Sequence, residues 1–270
     1  MALTVFYITN NPQIALIAEE AGVDRIWIDL ETLGKEERQS GMNSVKSHHT
    51  IHDIEMIAPR LKKAEMLVRI NPWNENSQEE IDKVIKAGAK IVMLPMWKSA
   101  EEVREFIVAV AARARTTLLL ETKEAEECLD EVLKLKGIDE IHIGLNDLCL
   151  SYGLTFMFES LANGTVERIA EKIKAKGIPF GFGGISHLGD GTVPAEMIIT
   201  EHYRLGSTRA ILSRGFCNQH QSLNEVRRDF EERMSDFRRF EKSISPESFA
   251  ENRKNLVERV RQIVDEMKNG

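Results

Sequence analysis

Residues 116–147 read TTLLLETKEAEECLDEVLKLKGIDEIHIGLND, and the pattern predicts a strand, a helix and a second strand. The runs TTLLLET and EIHIGLND are almost continuously apolar, which is typical of strands buried on both faces of a parallel sheet. Each run stops at a carboxylate, Glu121 in the first and Asp147 in the second. Because burying an unpaired carboxylate is costly, these acids are either exposed at the sheet edge or paired with something.

The same alternation of strands and helices continues through most of the chain. The predicted strands are 5–9, 25–31, 65–71, 90–96, 116–122, 140–147, 178–184 and 208–213. Helical patterns lie between most of them, at 11–21, 50–63, 77–88, 99–114, 123–135, 164–176 and 194–204. These eight units predict an α/β fold, a (β/α)8 barrel domain over residues 1–218. A doubly wound open sheet is the structural alternative.

Residues 219–270 have a different character and predict two charged helices on either side of the turn ISPES. Two apolar stripes run along them, Phe230, Met234, Phe237 and Phe240 on the first and Leu256, Val260, Ile263, Val264 and Met267 on the second. Each stripe is wide enough to pack on another surface. We expect a C-terminal helical extension that packs either on its own barrel or on a neighbouring subunit.

Composition argues against several classes of protein. The chain has 270 residues, 42% of them hydrophobic, with a net charge of −7 and dispersed Lys and Arg, which argues against a nucleic-acid partner. Its apolar runs fall short of the roughly 18 residues that a membrane span needs. The start MALTVFYITNNPQ lacks the pattern of a signal peptide. Three distant cysteines favour reduced thiols in a cytoplasmic protein over a zinc site, namely Cys128, Cys149 and Cys217.

A regular spacing places several residues at one end of the predicted barrel. Arg69, Pro95, Glu121 and Asp147 are each 26 residues apart, and each lies at or near the end of its strand. The carboxyl ends of barrel strands form the rim where chemistry takes place. The alternative is that loops of equal length produce this spacing by accident.

Two acids on neighbouring strands suggest a metal site. Carboxylates at that distance repel each other unless a cation or a shared proton lies between Glu121 and Asp147. Hard divalent ions such as Mg²⁺ and Mn²⁺ take oxygen ligands of this kind, with Co²⁺ as a third option. The alternative is that both acids cap the helices that follow them.

Arg69 adds a group that binds anions. A guanidinium at the end of the apolar strand in LVRIN is costly without a carboxylate, which it binds bidentately. Together with a metal it would hold a 2-keto acid at both ends and stabilise an enolate. The alternative is a structural salt bridge between Arg69 and Glu31.

The segments AGVDRIWIDLE, LVRINPW, IVMLPM, LLLET and IGLNDLCLSYG resemble the HpcH/HpaI aldolase and citrate lyase β-subunit family, in order, from residue 1 to about 216. This family belongs to the phosphoenolpyruvate/pyruvate barrel superfamily and is metal-dependent (class II). The resemblance implies Glu121 and Asp147 as metal ligands and Arg69 as the clamp on the pyruvyl carboxylate or enolate. It also implies substrate contacts from the backbone of Gly144, Leu145 and Asn146, and dimer-based homo-oligomers, often hexamers, that exchange C-terminal helices.

The chain departs from the family pattern where protons are handled. The family's proposed acid/base His is replaced by Thr32 in IDLETLGK, and the Asp that orients it is replaced by Lys86 in VIKAG. The Gln two residues before the metal-binding Glu is replaced by Leu119. The metal ligands and the Arg therefore match the family, while the proton-handling groups do not.

Other groups near the second strand are candidates for the missing acid or base. His48 and His49, in SHHTIHD, follow that strand and are candidate catalytic residues because histidine titrates near neutral pH. Glu31 is a third candidate, and with Lys35 and Arg38 it could also bind a polar substrate tail. The alternative is a solvated surface loop. The glycine-rich run GFGGISHLGDG, which contains His187, is a further possible contact for an anion.

The first functional hypothesis is a metal-dependent aldolase that makes or breaks a bond to the methyl carbon of a pyruvate-like 2-keto acid, with an aldehyde as the second small molecule. The second is a citrate-synthase-like enzyme, an acyl-CoA lyase, or an enzyme that uses oxaloacetate or phosphoenolpyruvate, and the missing dyad favours it. The third is a barrel that has lost activity and acts as a scaffold, against which Glu121, Asp147 and Arg69 argue.

Overall fold

The computed structural model describes residues 2–34 and 48–269, and within them eight parallel strands close into a barrel. The strands pair in chain order, and the first also pairs with the last, which confirms the (β/α)8 fold and excludes the open sheet. They are β1 (Thr4–Ile8), β2 (Arg25–Asp29), β3 (Glu65–Arg69), β4 (Ile91–Leu94), β5 (Arg115–Leu120), β6 (Glu140–Ile143), β7 (Phe180–Ile185) and β8 (Arg209–Leu212).

Helices surround the barrel between these strands. They are α1 (Pro12–Glu20), α2 (Ile51–Ile57), α3 (Ser77–Ala87), α4 (Ala100–Val110), α5 (Lys123–Glu127), α6 (Leu129–Val132), α7 (Leu145–Ser151), α8 (Glu159–Ala162), α9 (Thr165–Ala175), α10 (Ala195–Leu205), α11 (Leu223–Ser243) and α12 (Phe249–Asn269). Short 3₁₀ turns cover Ala58–Arg60, Arg214–Phe216 and Pro246–Ser248. Within the described ranges, no helix is both long enough and apolar enough to cross a bilayer.

Several helices differ from the sequence prediction. The helix predicted over 50–63 ends at Ile57 and is followed by the 3₁₀ turn Ala58–Arg60, and α7 and α8 were not predicted. The helix predicted over 99–114 ends at Val110, because Ala111 and Ala112 adopt positive φ angles of 52° and 56° that a helix cannot continue through. The helix predicted over 123–135 is two short helices that meet at Cys128. The break leaves Ala125, Leu129 and Val132 all fully buried, so packing against the barrel takes precedence over helix continuity.

The end of the barrel opposite the rim is closed by a buried ionic cluster. Arg25 donates two hydrogen bonds of 2.6 Å to the Glu140 carboxylate, and Arg209 donates a third of 2.6 Å. Glu140 is 2% exposed, and although burial would raise the pKa of its carboxyl, the two arginines lower it below its ordinary value. Arg209 therefore belongs to the floor of the barrel and is not a rim residue.

The C-terminal helices pack on the barrel of the same chain. Phe230, Met234 and Phe237 of α11 are buried, and the Phe230 ring meets the ring of Tyr7 edge-on at 4.9 Å. From α12, Arg253 donates hydrogen bonds to the carbonyls of α8. The apolar stripe of α12 is buried too, except for one residue at its end; the buried residues are Leu256, Val260, Ile263 and Val264.

Two methionines of this extension provide a matched test of that packing. Met234 is 2% exposed, whereas Met267 is 53% exposed. We expect Met234→Ala to destabilise the protein by about 2–5 kcal/mol, because it removes buried volume and leaves a cavity. Met267→Ala should change stability by less than about 0.5 kcal/mol. Urea unfolding of both variants measures the difference, and equal midpoints would contradict the packing described here.

Candidate functional site

The residues with 26-residue spacing lie together at the carboxyl ends of the strands. Arg69 is the last residue of β3, Pro95 follows β4 directly, and Glu121 follows β5 directly. Asp147 lies in the first turn of α7, four residues after the end of β6. The spacing therefore reflects one shared rim.

Glu121 and Asp147 line the same cavity, which has a volume of about 260 Å³. Glu121 is only 2% exposed, and burial, followed by the charge of Asp147, raises the pKa of its carboxyl well above the ordinary value. Arg69 acts in the opposite direction but does not outweigh these two effects. Two carboxylates that destabilise each other's charge at the mouth of a barrel form a site suited to a cation.

The backbone around Glu121 is shaped to hold its carboxylate. The Met96 N–H donates a 3.1 Å hydrogen bond to Glu121 Oε1, and Met96 has a φ of 53°, unusual for a residue with a side chain. On the other side, a Cβ at Gly144 would lie 2.8 Å from Glu121 Oε2 and 3.0 Å from its Cβ. Backbone strain of this kind costs of order 1–3 kcal/mol and concentrates at functional sites.

Arg69 is held by two carboxylates, those of Asp29 at the end of β2 and of Glu31 two residues after it. Its Nε and one terminal nitrogen donate 2.8 Å hydrogen bonds to the two oxygens of Asp29, and the other terminal nitrogen lies 3.1 Å from Glu31 Oε2. Burial alone would lower the pKa of Arg69, but the charges of Asp29 and Glu31 raise it by more than burial lowers it. The pKa is therefore above its ordinary value, and the guanidinium stays charged. The salt bridge between Arg69 and Glu31, which the sequence analysis gave as the alternative to anion binding, is thus present in the structure. Asp29 is a second partner of the guanidinium.

This arrangement leaves part of the guanidinium for an anion. The group has five N–H donors, and the contacts with Asp29 and Glu31 account for three of them. The remaining two lie on the terminal nitrogens, one on each. The side chain is 12% exposed, and its guanidinium lies 5.4 Å from the centre of the Trp27 ring. Arg69 is therefore a rigid cation with residual capacity for binding.

The candidate histidines occupy different positions. His49 is half-buried, and its Nδ1 accepts a 3.0 Å hydrogen bond from the Asp29 N–H. Since an amide only donates, Nδ1 carries no proton and the neutral ring carries it on Nε2. His48 is exposed. Lys35 and Arg38, which the sequence suggested for a polar substrate tail, lie outside the described residues.

Thr32, which replaces the family's proposed acid/base histidine in this chain, belongs to a hydrogen-bond network. The Thr32 and Leu33 amides donate to Asn71 Oδ1 at 2.9 and 3.0 Å, and the Thr32 hydroxyl lies 3.2 Å from the same oxygen. The Asn71 Nδ2 donates a 2.9 Å hydrogen bond to Glu80. Burial raises the pKa of the Glu80 carboxyl, and the hydrogen bonds from Asn71 lower it by a smaller amount. The network fixes the turn that immediately follows Glu31.

In the turn between β6 and α7, the resemblance to the family implies substrate contacts from backbone groups rather than from side chains. Leu145 is 2% exposed, and its side chain occupies the space where a Cβ at Gly183 would lie, 2.6 Å away. Asn146 is exposed. The implied substrate contacts from Gly144, Leu145 and Asn146 stay a prediction. The nearby His187 lies 3.6 Å from Asp190, so it is tied to its own glycine-rich loop.

The donor set at the rim fits a hard divalent ion. In the described part of the chain, no group of three or more His, Cys, Asp or Glu converges as a complete protein cage. Mg²⁺ and Mn²⁺ do not need one, because they are commonly held by one or two carboxylates and complete their coordination with water and substrate oxygens. Glu121 and Asp147, with the space beside them, supply that partial set.

Two residues of this site were missed in the sequence. Asp29 could have been found, because β2 ends in acids at positions i and i+2, which lie on the same face of a strand. Met96 contributes only a backbone N–H at an unusual φ angle, and its side-chain type gives no signal of this.

We expect a pH-dependent effect of Glu121 on the stability of the metal-free protein. Because its pKa is raised on folding, the carboxyl stabilises the fold when protonated, below its ordinary pKa near 4.5, and this contribution is lost as pH rises through the raised value. Glu121→Gln should therefore raise the Tm at pH 8 in the presence of a chelator, and the gain should shrink toward pH 4.5. Thermal unfolding across this range measures it. The exposed control Glu131→Gln should show no such trend.

The chain resembles several characterised proteins. It is 29% identical to 2-keto-3-deoxy-L-rhamnonate aldolase from Salmonella gallinarum and 30% identical to the enzyme of that name from Salmonella paratyphi B. Each match spans 208 residues, 64% of this chain and 71% of that protein.

Solved structures show the same fold. An HpcH/HpaI aldolase from Desulfitobacterium hafniense has a TM-score of 0.60 at 18% identity, covering 78% of this chain and 86% of that one. The citrate synthase SbnG has a TM-score of 0.57 at 17% identity with the same coverage.

The model of the HpcH/HpaI aldolase/citrate lyase family matches residues 3–182. Members of this family generally depend on a divalent metal. The chain belongs to the HpcH/HpaI aldolase/citrate lyase family and is a carbon–carbon lyase.

Proposed function

We propose that this enzyme is a divalent-metal-dependent aldolase that makes or breaks a bond to the methyl carbon of a pyruvate-like 2-keto acid through a pyruvate enolate. The observation that carries the proposal is the joint placement of Glu121 and Asp147 in one cavity at the rim, with Arg69 on the same rim. The names of the related Salmonella aldolases support it, since their substrates are 2-keto acids.

Glu121 and Asp147 would hold the metal, with Mg²⁺ or Mn²⁺ as the expected ion and Co²⁺ as a third option. When bound there, the cation would supply Lewis-acid polarisation of the keto group. Met96 and Gly144 keep the Glu121 carboxylate in a single position, so the ligand needs little rearrangement on binding.

Arg69 would bind the carboxylate of the keto acid and stabilise the enolate with its two remaining N–H groups. Asp29 and Glu31 fix the guanidinium before substrate arrives, and preorganised donors are more effective than mobile ones. The enolate develops next to this fixed positive charge. A lysine at this position would keep the charge but lose the planar two-point contact.

Proton transfer would involve the groups at the exit of β2. His49 in its neutral form carries a proton on Nε2, so it is suited to donate a hydrogen bond to an oxygen that develops negative charge. Glu31, which is buried beside Arg69, is a carboxylate that can accept one. His48 is exposed and stays a weaker candidate.

The expected partners are a small 2-keto acid and a second small molecule, and the expected assembly is a dimer-based homo-oligomer, up to a hexamer. These stay proposals that derive from the family resemblance. The alternative reaction, on oxaloacetate, phosphoenolpyruvate or an acyl-CoA, differs from the proposed one in a measurable way, because it need not remove a proton from the methyl group of pyruvate.

We expect the enzyme to exchange the methyl protons of pyruvate for deuterium in D₂O when Mn²⁺ or Mg²⁺ is present. Glu121→Gln should lose the metal-dependent rate, and Arg69→Lys should lower it by about 10²-fold or more, since it removes donors aimed at the developing charge. Glu131→Gln, an exposed control away from the cavity, should retain the rate. Proton NMR follows the exchange.

Absence of exchange in wild-type protein that binds Mn²⁺ would contradict the pyruvate enolate and favour the alternative reaction. Exchange that persists in Glu121→Gln would contradict the assignment of the metal site while leaving the enolate in place.

The contact between Gly144 and Glu121 predicts a second effect. Gly144→Ala places a Cβ 2.8 Å from Glu121 Oε2, so the carboxylate must move. We expect Mn²⁺ affinity, measured by electron paramagnetic resonance, to fall by about 10-fold or more, the range found when groups that orient a metal ligand are altered. Because Gly144 has an ordinary φ of −83°, alanine adds no backbone strain, and the Tm should change little. Unchanged affinity would show that Glu121 is not a ligand or is free to move.

A further inference from the structure

A second cavity lies at the amino end of the barrel, the end at which the parallel strands begin. It has a volume of about 420 Å³ and lies where β7 and β8 start and where α9 and α10 finish. Among the described residues that line it, two are cations, Lys174 and Arg209, and none is a carboxylate. In a chain with a net charge of −7, a cavity of this composition is suited to an anion.

The guanidinium of Arg209 reaches the wall of this cavity with donors to spare. Its Nε donates a 2.6 Å hydrogen bond to Glu140, and one terminal nitrogen donates a 2.5 Å hydrogen bond to the hydroxyl of Thr208, which also lines the cavity. A guanidinium has five N–H donors. Within the described part of the chain, these two contacts therefore leave three donors of Arg209 for a ligand.

The ammonium group of Lys174 lies on the same wall. A Cβ placed on Gly206, another lining residue, would lie 3.2 Å from Lys174 Nζ. Among residues 2–34 and 48–269, no carboxylate forms an ion pair with this amine, whereas Lys172, two residues earlier, is paired with Asp130 at 2.8 Å. Lys174 is thus a cation at the cavity whose charge no acid of this region neutralises.

The ionic cluster behind the cavity does not cancel this charge. It joins three arginines and two glutamates by ion pairs, an excess of one positive charge; the members are Arg25, Arg115, Arg209, Glu65 and Glu140. Glu140 is 2% exposed and does not line the cavity, so its charge is directed at the arginines. With Lys174 the excess is two, and this end of the barrel presents a positive field to the cavity.

The rest of the lining includes an apolar surface. Ile178, Pro179 and Phe180 form a continuous run of the wall, and Ile178 is half-buried while Pro179 is exposed. A ligand that places an anionic group between Lys174 and Arg209 can therefore lay an apolar body against this run. An inorganic anion would use only the charged part of the cavity.

We propose that Lys174 and Arg209 form a binding site, at the amino end of the barrel, for a small organic anion with a phosphate or a carboxylate on an apolar body. Arg209 begins β8, whereas Glu121 follows the end of β5, so the ligand is not a substrate of the rim. The proposal goes beyond the aldolase function and does not depend on it. The opposing view is that Lys174 only neutralises the carbonyl end of α10 beside Gly206.

The test is calorimetric titration of the chelator-treated, metal-free protein with phenyl phosphate, benzoate and inorganic phosphate. Wild type should bind phenyl phosphate or benzoate, and the tighter of the two identifies the anionic group. Inorganic phosphate should bind more weakly than phenyl phosphate, because it lacks the apolar body. Lys174→Gln should raise the Kd of the tighter ligand by about 10-fold, the effect of losing one charge-assisted hydrogen bond, and Lys174→Arg should not.

Two control variants separate this site from other cations. Lys176→Gln removes the same charge from an exposed lysine at the end of α9 that does not line the cavity, and its affinity should equal that of wild type. Arg69→Lys alters the anion-binding group at the rim and should also leave the affinity unchanged. Arg209 is kept in every variant, because removing it would leave the buried Glu140 short of a partner.

Several results would overturn the site. They are a wild-type protein that binds none of the three anions, an unchanged Kd in Lys174→Gln, the same loss in Lys176→Gln, and a loss in Arg69→Lys, which would place the anion at the rim. A lower Tm of Lys174→Gln without ligand, together with an unchanged Kd, would establish the opposing view. Lys174→Gln should retain the exchange of pyruvate methyl protons, so failure of this site and failure of the aldolase function are distinguishable.

Discussion

The rim of this barrel depends on one constraint, the confinement of the Glu121 carboxylate in a buried position beside another acid. Burial and the charge of Asp147 both oppose its ionisation. The surrounding chain nonetheless holds the group in place, with the Met96 amide on one side and the bare Cα of Gly144 on the other. A carboxyl held in a fixed position where its ionisation is unfavourable is typical of functional sites.

The balance of charge at the rim follows from this constraint. Asp29, Glu31, Glu121 and Asp147 are four carboxylates, and Arg69 is the one guanidinium among them, so the formal sum is 1 − 4 = −3 when all are ionised. A divalent cation would bring the sum to −1, which is still unfavourable for an anionic substrate. In the proposed role, Arg69 would have to be held rigidly beside the substrate to be effective, and Asp29 and Glu31 do hold its guanidinium in place.

Sequence patterns predicted the barrel and the rim because both depend on periodicity. Apolar strands and the equal spacing of Arg69, Pro95, Glu121 and Asp147 are visible without any knowledge of packing. The split helix at Cys128 was not predictable in this way, because the burial of Ala125 and Val132 against the barrel overrides a continuous helical pattern. The φ angle of Met96 was equally hidden, since a methionine side chain carries no preference for it. What the sequence could not supply is the geometry that depends on contacts between distant segments.

The departures from the family pattern acquire a physical meaning in this structure. Thr32 does not sit at an empty position, because it is bonded to Asn71, and Asn71 is bonded to Glu80. This network fixes the turn after β2, and with it Glu31 against Arg69. Where the family pattern has a proton carrier, this chain thus has a threonine that helps to fix the turn beside Arg69. The groups proposed to bind the keto acid match the family pattern, while the groups that would exchange protons do not. The proposed formation of the enolate depends on Glu121, Asp147 and Arg69. The replacement at Thr32 leaves those three groups in place, so it bears on the proposed proton transfer rather than on the proposed enolate.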